Sequence, residues 1–410
     1  MDAQKTVAAE LRPLYWMALG TFAVGTEGFM IAGMLPKIAS SVGVNVATAG
    51  QLVTVFAFAY ALSSPVLTAL TGSLNRRKLL IGAMGAFALA NLAAVFASGF
   101  WALMAARVLL AFTAGLYVPG ANALAGVVVA PERRGRAIAI INGGLTVAIA
   151  LGVPLGTLVA NTFDWRATFG GVAVMSAVAT FGLIFGLDRK LGANLPVASL
   201  SERIRVARRP AVLQTLLVTL LWATGAYTLY TYITPFLESV TTLRGAGIGW
   251  VLFSWGASAA VGVAFGGKVV DRFGPARVIV PALTLGMLAF LSLSVTAHVI
   301  SPQWALLTVL PAVVLWGVMH WAFYPAQQVR LIGIAGTATA PVALSLNASF
   351  MYMGFSIGAA AGSLTLSLAK AADLGWVAAM FEFASLAFML LISRPKSAAV
   401  SNQCPASGAA

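Results

Sequence analysis

Two residues in this chain carry charge where charge is expensive. Glu27 sits inside LYWMALGTFAVGTEGFMIAGMLP (Leu14–Pro36) and Arg107 opens RVLLAFTAGLYVPGANALAG (Arg107–Gly126). Their apolar segments, 14–35 and 101–128, are long enough to cross a bilayer as helices. A charge at that depth costs several kcal/mol unless it faces protein or water, so it marks a functional site by default. A carboxyl there can carry a proton, and an Arg wants a carboxylate, a polar ligand or backbone carbonyls. Counted at ~1.5 Å per residue, Arg107 lies ~10 Å and Glu27 ~13 Å from the outer ends of their segments, which puts them at similar depth. The plainer alternatives are a protonated carboxyl hydrogen-bonded inside a helix bundle and a structural Arg tied to carbonyls. Glu382 is a third buried ionisable candidate. His320, near the inner end of its segment, reads as structural rather than as a proton relay.

Other chemistry has no apparatus here. The nearest phosphate-loop match, GVAFGGK (Gly262–Lys268), is followed by Val269 where Ser or Thr would hold magnesium, and it lies in an apolar run rather than after a strand. No Ser/His/Asp set and no HExxH is present, and the two histidines, His298 and His320, are far apart in sequence. Cys404, the single cysteine, lies in the polar tail, which excludes a disulfide framework or a thiol-based metal site. We expect no enzyme, no cofactor and no metal.

The elements that must position Glu27 and Arg107 follow from composition. The chain is 60% hydrophobic and 9% charged, with a mean hydropathy of +0.93, whereas soluble chains carry about 25% charged residues. Its 41 glycines and 17 prolines fall inside apolar runs, as membrane helices tolerate. Spanning segments recur at 14–35, 49–71, 79–98, 101–128, 137–160, 167–187, 212–236, 246–267, 278–298, 303–325, 341–366 and 374–393. The fold class is therefore an all-α polytopic membrane protein of twelve helices; the ~10-residue alternating segments of a barrel are missing. The longest polar interruption, 188–211, divides the set into an N-terminal half (1–187) and a C-terminal half (212–393), followed by a disordered cytoplasmic tail (394–410). Its SERIRVARRP stretch could be a short surface helix or a solvated basic linker. The N-terminus lacks the basic region and cleavage site of a secretory signal, so we expect no processing.

The net charge of +14 is topology rather than a nucleic-acid face, because the charges sit in short loops between apolar segments. With both termini cytoplasmic, twenty Lys and Arg fall inside and four outside (Lys37, Arg166, Arg244 and Lys370). That bias predicts a multi-pass membrane protein in contact with lipid, with both termini inside and no nucleic-acid partner.

The halves echo each other, as in folds built from repeats. GSLNRRK (Gly72–Lys78) follows the second segment, and GKVVDRFG (Gly267–Gly274) follows the eighth. Asn142 opens a run with Gly143, Gly144, Gly152 and Gly156; Asn347 opens one with Gly354, Gly358 and Gly362. Gly144, Gly152 and Gly156 fall near one helix face and permit close backbone contact, and Pro154 bends the helix there. Tyr227 and Tyr230, with Asn347, Ser349 and Tyr352, could face a central cavity among apolar walls. Inter-helix hydrogen bonding is the alternative. Tyr232 fits an outer aromatic belt better.

The pattern G-x-[LV]-x-D-R-x-G in the second loop resembles the signature loops of the major facilitator superfamily, and the likeness extends over roughly 14–393. Within it the chain resembles the twelve-helix drug:proton antiporters, through GTEGFMIAGMLPKIA, GVPLGT followed by DWRATF, TYITPFL and SLNASFMYMGFSIGAA. More narrowly, it is similar to bacterial efflux proteins for sugars such as arabinose, chloramphenicol and purine nucleosides. The resemblance implies a proton-coupling role for Arg107 in R-x(7)-G with Gly115, and an antiporter helix at Gly144, Gly152, Pro154 and Gly156. It also implies cytoplasmic gate loops at Gly72, Arg76, Arg77, Gly267, Asp271, Arg272 and Gly274. Asp271 and Arg272 match the loop latch, while Arg76 stands where the first copy would have its Asp. The twelfth helix is peripheral in this superfamily, so Glu382 reads as a packed or protonated carboxyl.

The expected function is a monomeric, proton-coupled secondary exporter of a small organic molecule, with Glu27 and Arg107 as the coupling pair and Asn142, Tyr227, Tyr230, Asn347, Ser349 and Tyr352 facing substrate. A proton-linked uptake symporter remains the alternative within the class, and a receptor or channel outside it.

Overall fold

The computed structural model describes residues 2–129, 133–188, 198–336 and 339–393. The side chains of Lys5 and Arg12, most of the linker with Arg189 and Lys190, and the tail with Arg394, Lys396 and Cys404 lie outside the described residues.

Among the described residues the chain is helical, with no strand. The order is α1 (Asp2–Ser41), α2 (Val46–Leu70), α3 (Arg76–Val95), α4 (Phe100–Val128), α5 (Arg134–Val147), a π-helical turn (Ala148–Gly152), α6 (Val153–Thr162) and α7 (Trp165–Gly186). Then come α8 (Leu200–Ala207), α9 (Pro210–Tyr230), α10 (Ile233–Val240), α11 (Ala246–Phe273), α12 (Ala276–Val299), α13 (Pro302–Ala335), α14 (Ala340–Leu368) and α15 (Leu374–Ile392). Twelve of the resulting spans are long and apolar enough to cross a membrane. Helices close their backbone hydrogen bonds internally, which the hydrocarbon demands. Polar loop residues start them: Asn45 accepts from the Thr48 amide at 2.7 Å, Asn75 from Lys78 at 3.2 Å and Asp164 from Arg166 at 2.7 Å. SERIRVARRP forms α8, with a capping box between Ser199 and Glu202.

Each half is arranged around its first helix. Of the apolar span, 78% is buried in α1 and 72% in α9, against 33% in α15. The halves meet along a seam where α2 packs on α14, and α11 packs on the π turn and α6. Two expected elements differ in extent. Helix seven is interrupted at Thr231–Tyr232, separating α9 from α10, and helix ten runs on to Ala335. His320 therefore lies near the middle of α13, not near its inner end.

Candidate functional site

Glu27 is fully buried on α1, which α5, the π turn and α6 approach closely through their glycines. A Cβ at Gly144 would stand 2.2 Å from the Ala18 carbonyl oxygen, and one at Gly152 would stand 2.1 Å from Thr26 Oγ1. At Gly156 it would meet Thr168 and Met30 at 3.1–3.2 Å. The three glycines do share a face, and that face lies on α1 within two turns or so of Glu27. Gly143, beside them, has nothing within 4 Å. At Pro154 the expected bend takes the form of a bulge: the five residues Ala148–Gly152 wind as a π turn just before it. Pro has no amide hydrogen to give, and the wider turn absorbs the missing bond. The same bulge meets α11, where a Cβ at Gly256 would lie 2.3 Å from the Ile149 carbonyl oxygen.

Arg107 reaches Glu27 directly from α4. Its Nη1 donates to Glu27 Oε1, its Nε donates to the Leu52 carbonyl at 3.3 Å, and the guanidinium lies 4.0 Å from the Phe56 ring centroid. Both side chains are fully buried. The pair is only half satisfied, since Glu27 Oε2 and Arg107 Nη2 have no hydrogen-bond partner. Burying two charges is expensive, and imperfect pairing leaves part of that cost in place. The site therefore holds one acceptor and one donor ready for a proton or a ligand. Because α1 continues to Ser41, Glu27 is farther from the end of its helix than its apolar run implied; depth alone matched the partners only approximately.

An aromatic seam adjoins the pair. Phe29, two residues past Glu27, lies edge-on to Tyr227 at 6.2 Å, Tyr230 at 6.0 Å and Phe355 at 6.4 Å. Tyr227 stacks on Phe355 at 3.6 Å, and Tyr60 stacks on Tyr352 at 3.7 Å across the two halves. Tyr227 and Tyr352 are within electrostatic reach of Arg107. Two expected cavity residues, Tyr227 and Tyr352, thus lie near the charged pair, and Tyr230 joins them through Phe29, its hydroxyl donating to the Phe29 carbonyl at 3.2 Å. Ser349 is buried nearby in sequence on α14, its Oγ without a partner. Asn347 is turned into the C-terminal half instead, where Thr219 donates to its Oδ1 at 2.7 Å and Gln327 donates to Thr219 at 3.1 Å. Asn142 does not join the group: its side chain is exposed, and its Oδ1 faces Asn122 Nδ2 at 3.4 Å. Sequence reasoning missed Phe29, Phe56, Tyr60 and Phe355. The spacing of Phe56 and Tyr60, four apart on α2, was a usable signal.

Tyr232 is a correction. It is fully buried, not part of an interfacial belt, because the break after α9 turns its ring across the seam. A Cβ at Gly50 would lie 1.9 Å from its Oη, and one at Gly362 would lie 2.6 Å from its ring. Its hydroxyl donates to the Ala359 carbonyl at 2.9 Å. Around it Thr234 donates to Ala32 O at 2.8 Å, Gln51 to Ser363 Oγ at 3.0 Å and Ser363 to Ala47 O at 2.9 Å. These contacts stitch the halves together at the end of the bundle away from the 71–75 and 274–275 loops.

Those two loops are unlike each other. In the first, Arg76 is buried and donates back to the Gly72 carbonyl at 3.0 Å, while Arg77 donates to Leu187 O at 3.0 Å and Ile184 O at 2.6 Å on α7. In the second, α11 continues past Gly267 to Phe273, and Gly274 ends it at φ +82°. Asp271 is exposed there and makes no ion pair among the described residues, so the latch suggested by resemblance is not formed; Arg272 lies 5.1 Å from the Phe273 ring. Elsewhere, His320 is buried and stacks on Trp222 at 4.1 Å.

Comparison with known proteins accords with this geometry. A family model of the Major Facilitator Superfamily matches residues 17–359. The chain is 33% identical over 387 residues to the uncharacterized MFS-type transporter YbcL of Bacillus subtilis, covering 94% of this chain and 97% of that one. It is 31% identical over 397 residues to a chloramphenicol resistance protein of Streptomyces lividans, covering 96% and 98%. A crystal structure of a bacterial homologue of the human lysosomal transporter Spinster, inward-facing and unoccupied, shares the fold with a TM-score of 0.72 at 17% identity, over 95% of this chain and 99% of that one. With twelve spanning helices in two halves and a family match along most of its length, this chain is a multi-pass membrane transporter belonging to the Major Facilitator Superfamily.

Proposed function

We propose that this transporter is a proton-coupled antiporter that exports a small organic molecule, such as a drug, sugar or nucleoside, across a bacterial inner membrane. Both termini are cytoplasmic, as the loop charges favour, and the working unit is a monomer whose partners are substrate, protons and lipid. The halves 1–187 and 212–393 rock about the seam, tethered by the 188–211 linker.

The observation that carries this reading is the buried Arg107–Glu27 pair with one oxygen and one nitrogen left free. A proton arriving from outside removes the Glu27 charge and releases Arg107 or the substrate. Loss of that proton towards the cytoplasm restores the pair. Coupling requires the two facing states to bind the proton differently, and a carboxyl that is dry in one and wet in the other supplies the difference. The aromatic faces of Tyr60, Tyr227, Tyr352 and Phe355 suit a largely apolar ligand, and Arg107 Nη2 offers it one polar contact. Export is favoured over uptake by the helix-five cluster and by the name of the Streptomyces relative.

The test is transport in everted vesicles, with chloramphenicol as the first compound and a toxicity screen in an efflux-deficient host to widen the list. Glu27→Gln should abolish pH-gradient-driven movement. A variant that still transports under a pH gradient sinks the mechanism.

A further inference from the structure

Glu382 is a second carboxyl in the membrane interior, and the pair above gives it no role. It is the sole charged residue of α15, LGWVAAMFEFASLAFMLLI, and 2% of it is exposed. Its Oε2 has no hydrogen-bond partner. The carboxyl lies between two glycines on different helices. A Cβ at Gly286 of α12 would come within 3.0 Å of Oε1, and one at Gly225 of α9 within 3.3 Å of Oε2. Glycine inside a helix is destabilising relative to Ala; here Oε1 takes the space at Gly286, and at Gly225 Oε2 shares it with the Ala378 carbonyl oxygen, 2.8 Å from the added Cβ.

A purely structural polar group in this place would spend its atoms on hydrogen bonds. Ser385, one turn along the same helix, does so, donating to the Val218 carbonyl at 3.0 Å. Among the described residues no cation pairs with Glu382: Arg330 of α13 reaches α15 at Met389, seven residues or about 10 Å along the helix. On α9, Tyr227 and Tyr230 are occupied with Phe29 at the seam. On α12, Arg277 and His298 lie nine and twelve residues from Gly286, about 14 and 18 Å along the helix. On α14, Tyr352 is stacked on Tyr60. An ionised, unpaired carboxylate in such surroundings is costly, while the neutral acid costs far less.

We propose that Glu382 is a second proton-exchanging site, in the C-terminal half and separate from Glu27. The step is simple: a carboxylate oxygen takes a proton from water to give the acid, and returns it to water in reverse. The route is set by α9, which lies between Glu382 and the seam. Its continuation, α10, is hydrogen-bonded to α1 through Thr234 and Ala32. Parting of the halves breaks that tie to α1 and frees α9 to shift within its own half, against α12 and α15, so that the glycine-lined slot opens to water. This last point rests on the alternating-access reading given above.

The experiment is pH-difference infrared spectroscopy of the full chain in lipid nanodiscs, with the proton as the probe. Two protonated-carboxyl bands should titrate in the unmodified protein. Glu382→Gln should remove one of them and Glu27→Gln the other. Gly286→Ala, which crowds Oε1, should shift the Glu382 band and leave the Glu27 band in place. The proposal is overturned if Glu382→Gln leaves the spectrum unchanged, or if the band it removes never responds to pH, as for a permanently protonated structural acid. Gradient-driven transport surviving in Glu27→Gln would instead overturn the coupling role of Glu27, and the Glu382 spectrum would stand apart from that outcome.

Discussion

In the N-terminal half, α5–α6 lays Gly144, Gly152 and Gly156 against α1; in the C-terminal half, α14 lays Gly354, Gly358 and Gly362 against α9. The second ridge is the more regular, with each added Cβ 2.4–2.5 Å from a carbonyl oxygen: Leu220, Thr224 and Thr228 in turn. The halves share this device and differ in what it carries. In one, the ridge helix is interrupted by a π turn and the helix it grips holds Glu27. In the other, the ridge helix is continuous, the gripped helix breaks at Thr231–Tyr232, and the seam face is aromatic. Close packing thus belongs to the fold, and the charge at the seam belongs to one half alone. Under the proposed mechanism that division puts the proton site in the N-terminal half, while the aromatic walls come from both halves, Tyr60 from one and Tyr227, Tyr352 and Phe355 from the other.

Removing Arg107 is the largest way to break the comparison. Arg107→Ala leaves Glu27 buried without its partner, which should cost about 3–5 kcal/mol. It should show as a large drop in melting temperature of the detergent-purified protein. Replacing both, as Glu27→Gln with Arg107→Met, should recover most of the stability without transport. If Arg107→Ala melts normally, the N-terminal half does not depend on a buried pair, and the contrast between the halves fails.

The ridges come next. Gly144→Ala and Gly354→Ala each drive a Cβ into backbone, at 2.2 Å and 2.5 Å from a carbonyl oxygen, and overpacking of this kind costs about 1–3 kcal/mol. Gly143→Ala, with open space around it, should be neutral or stabilising by up to about 1 kcal/mol. Melting curves of the three variants decide the matter. A loss at 144 with none at 354 would mean that the two ridges are not equivalent.

Much of this was legible in the chain because the relevant signals are local or periodic. Apolar length marked the twelve spans, and the 8-and-4 spacing separated Gly144 from its neighbour Gly143. Cost alone singled out Glu27 and Arg107. What was hidden depends on direction between helices. Asn142 and Asn347 open matching runs, yet one is exposed beside Asn122 and the other is buried in a network with Thr219 and Gln327. Their equivalence in sequence says nothing of the rotation of each helix in its bundle. Phe29 and Phe355 look like ordinary apolar filling until the opposite half is present. Tyr232 was misplaced because its ring direction follows from a helix break, and the run around it, TYITPFL, keeps its helical appearance across the interruption.

The smallest expected effect tests the broken helix. Tyr232→Phe keeps the ring wedged between Gly50 and Gly362 and removes only the hydrogen bond to Ala359 O. One such bond is worth about 0.5–1.5 kcal/mol, so the seal at that end should open about two- to tenfold more often. In a background with Cys404→Ser, a cysteine placed by Gln51→Cys reports the opening through its rate of labelling by a membrane-impermeant thiol reagent. Faster labelling in Tyr232→Phe, within that range, places the hydroxyl in the seal. An unchanged rate would mean that the wedge of ring against glycine holds the seam by shape alone, and the break in helix seven would then serve to aim the ring rather than its hydroxyl.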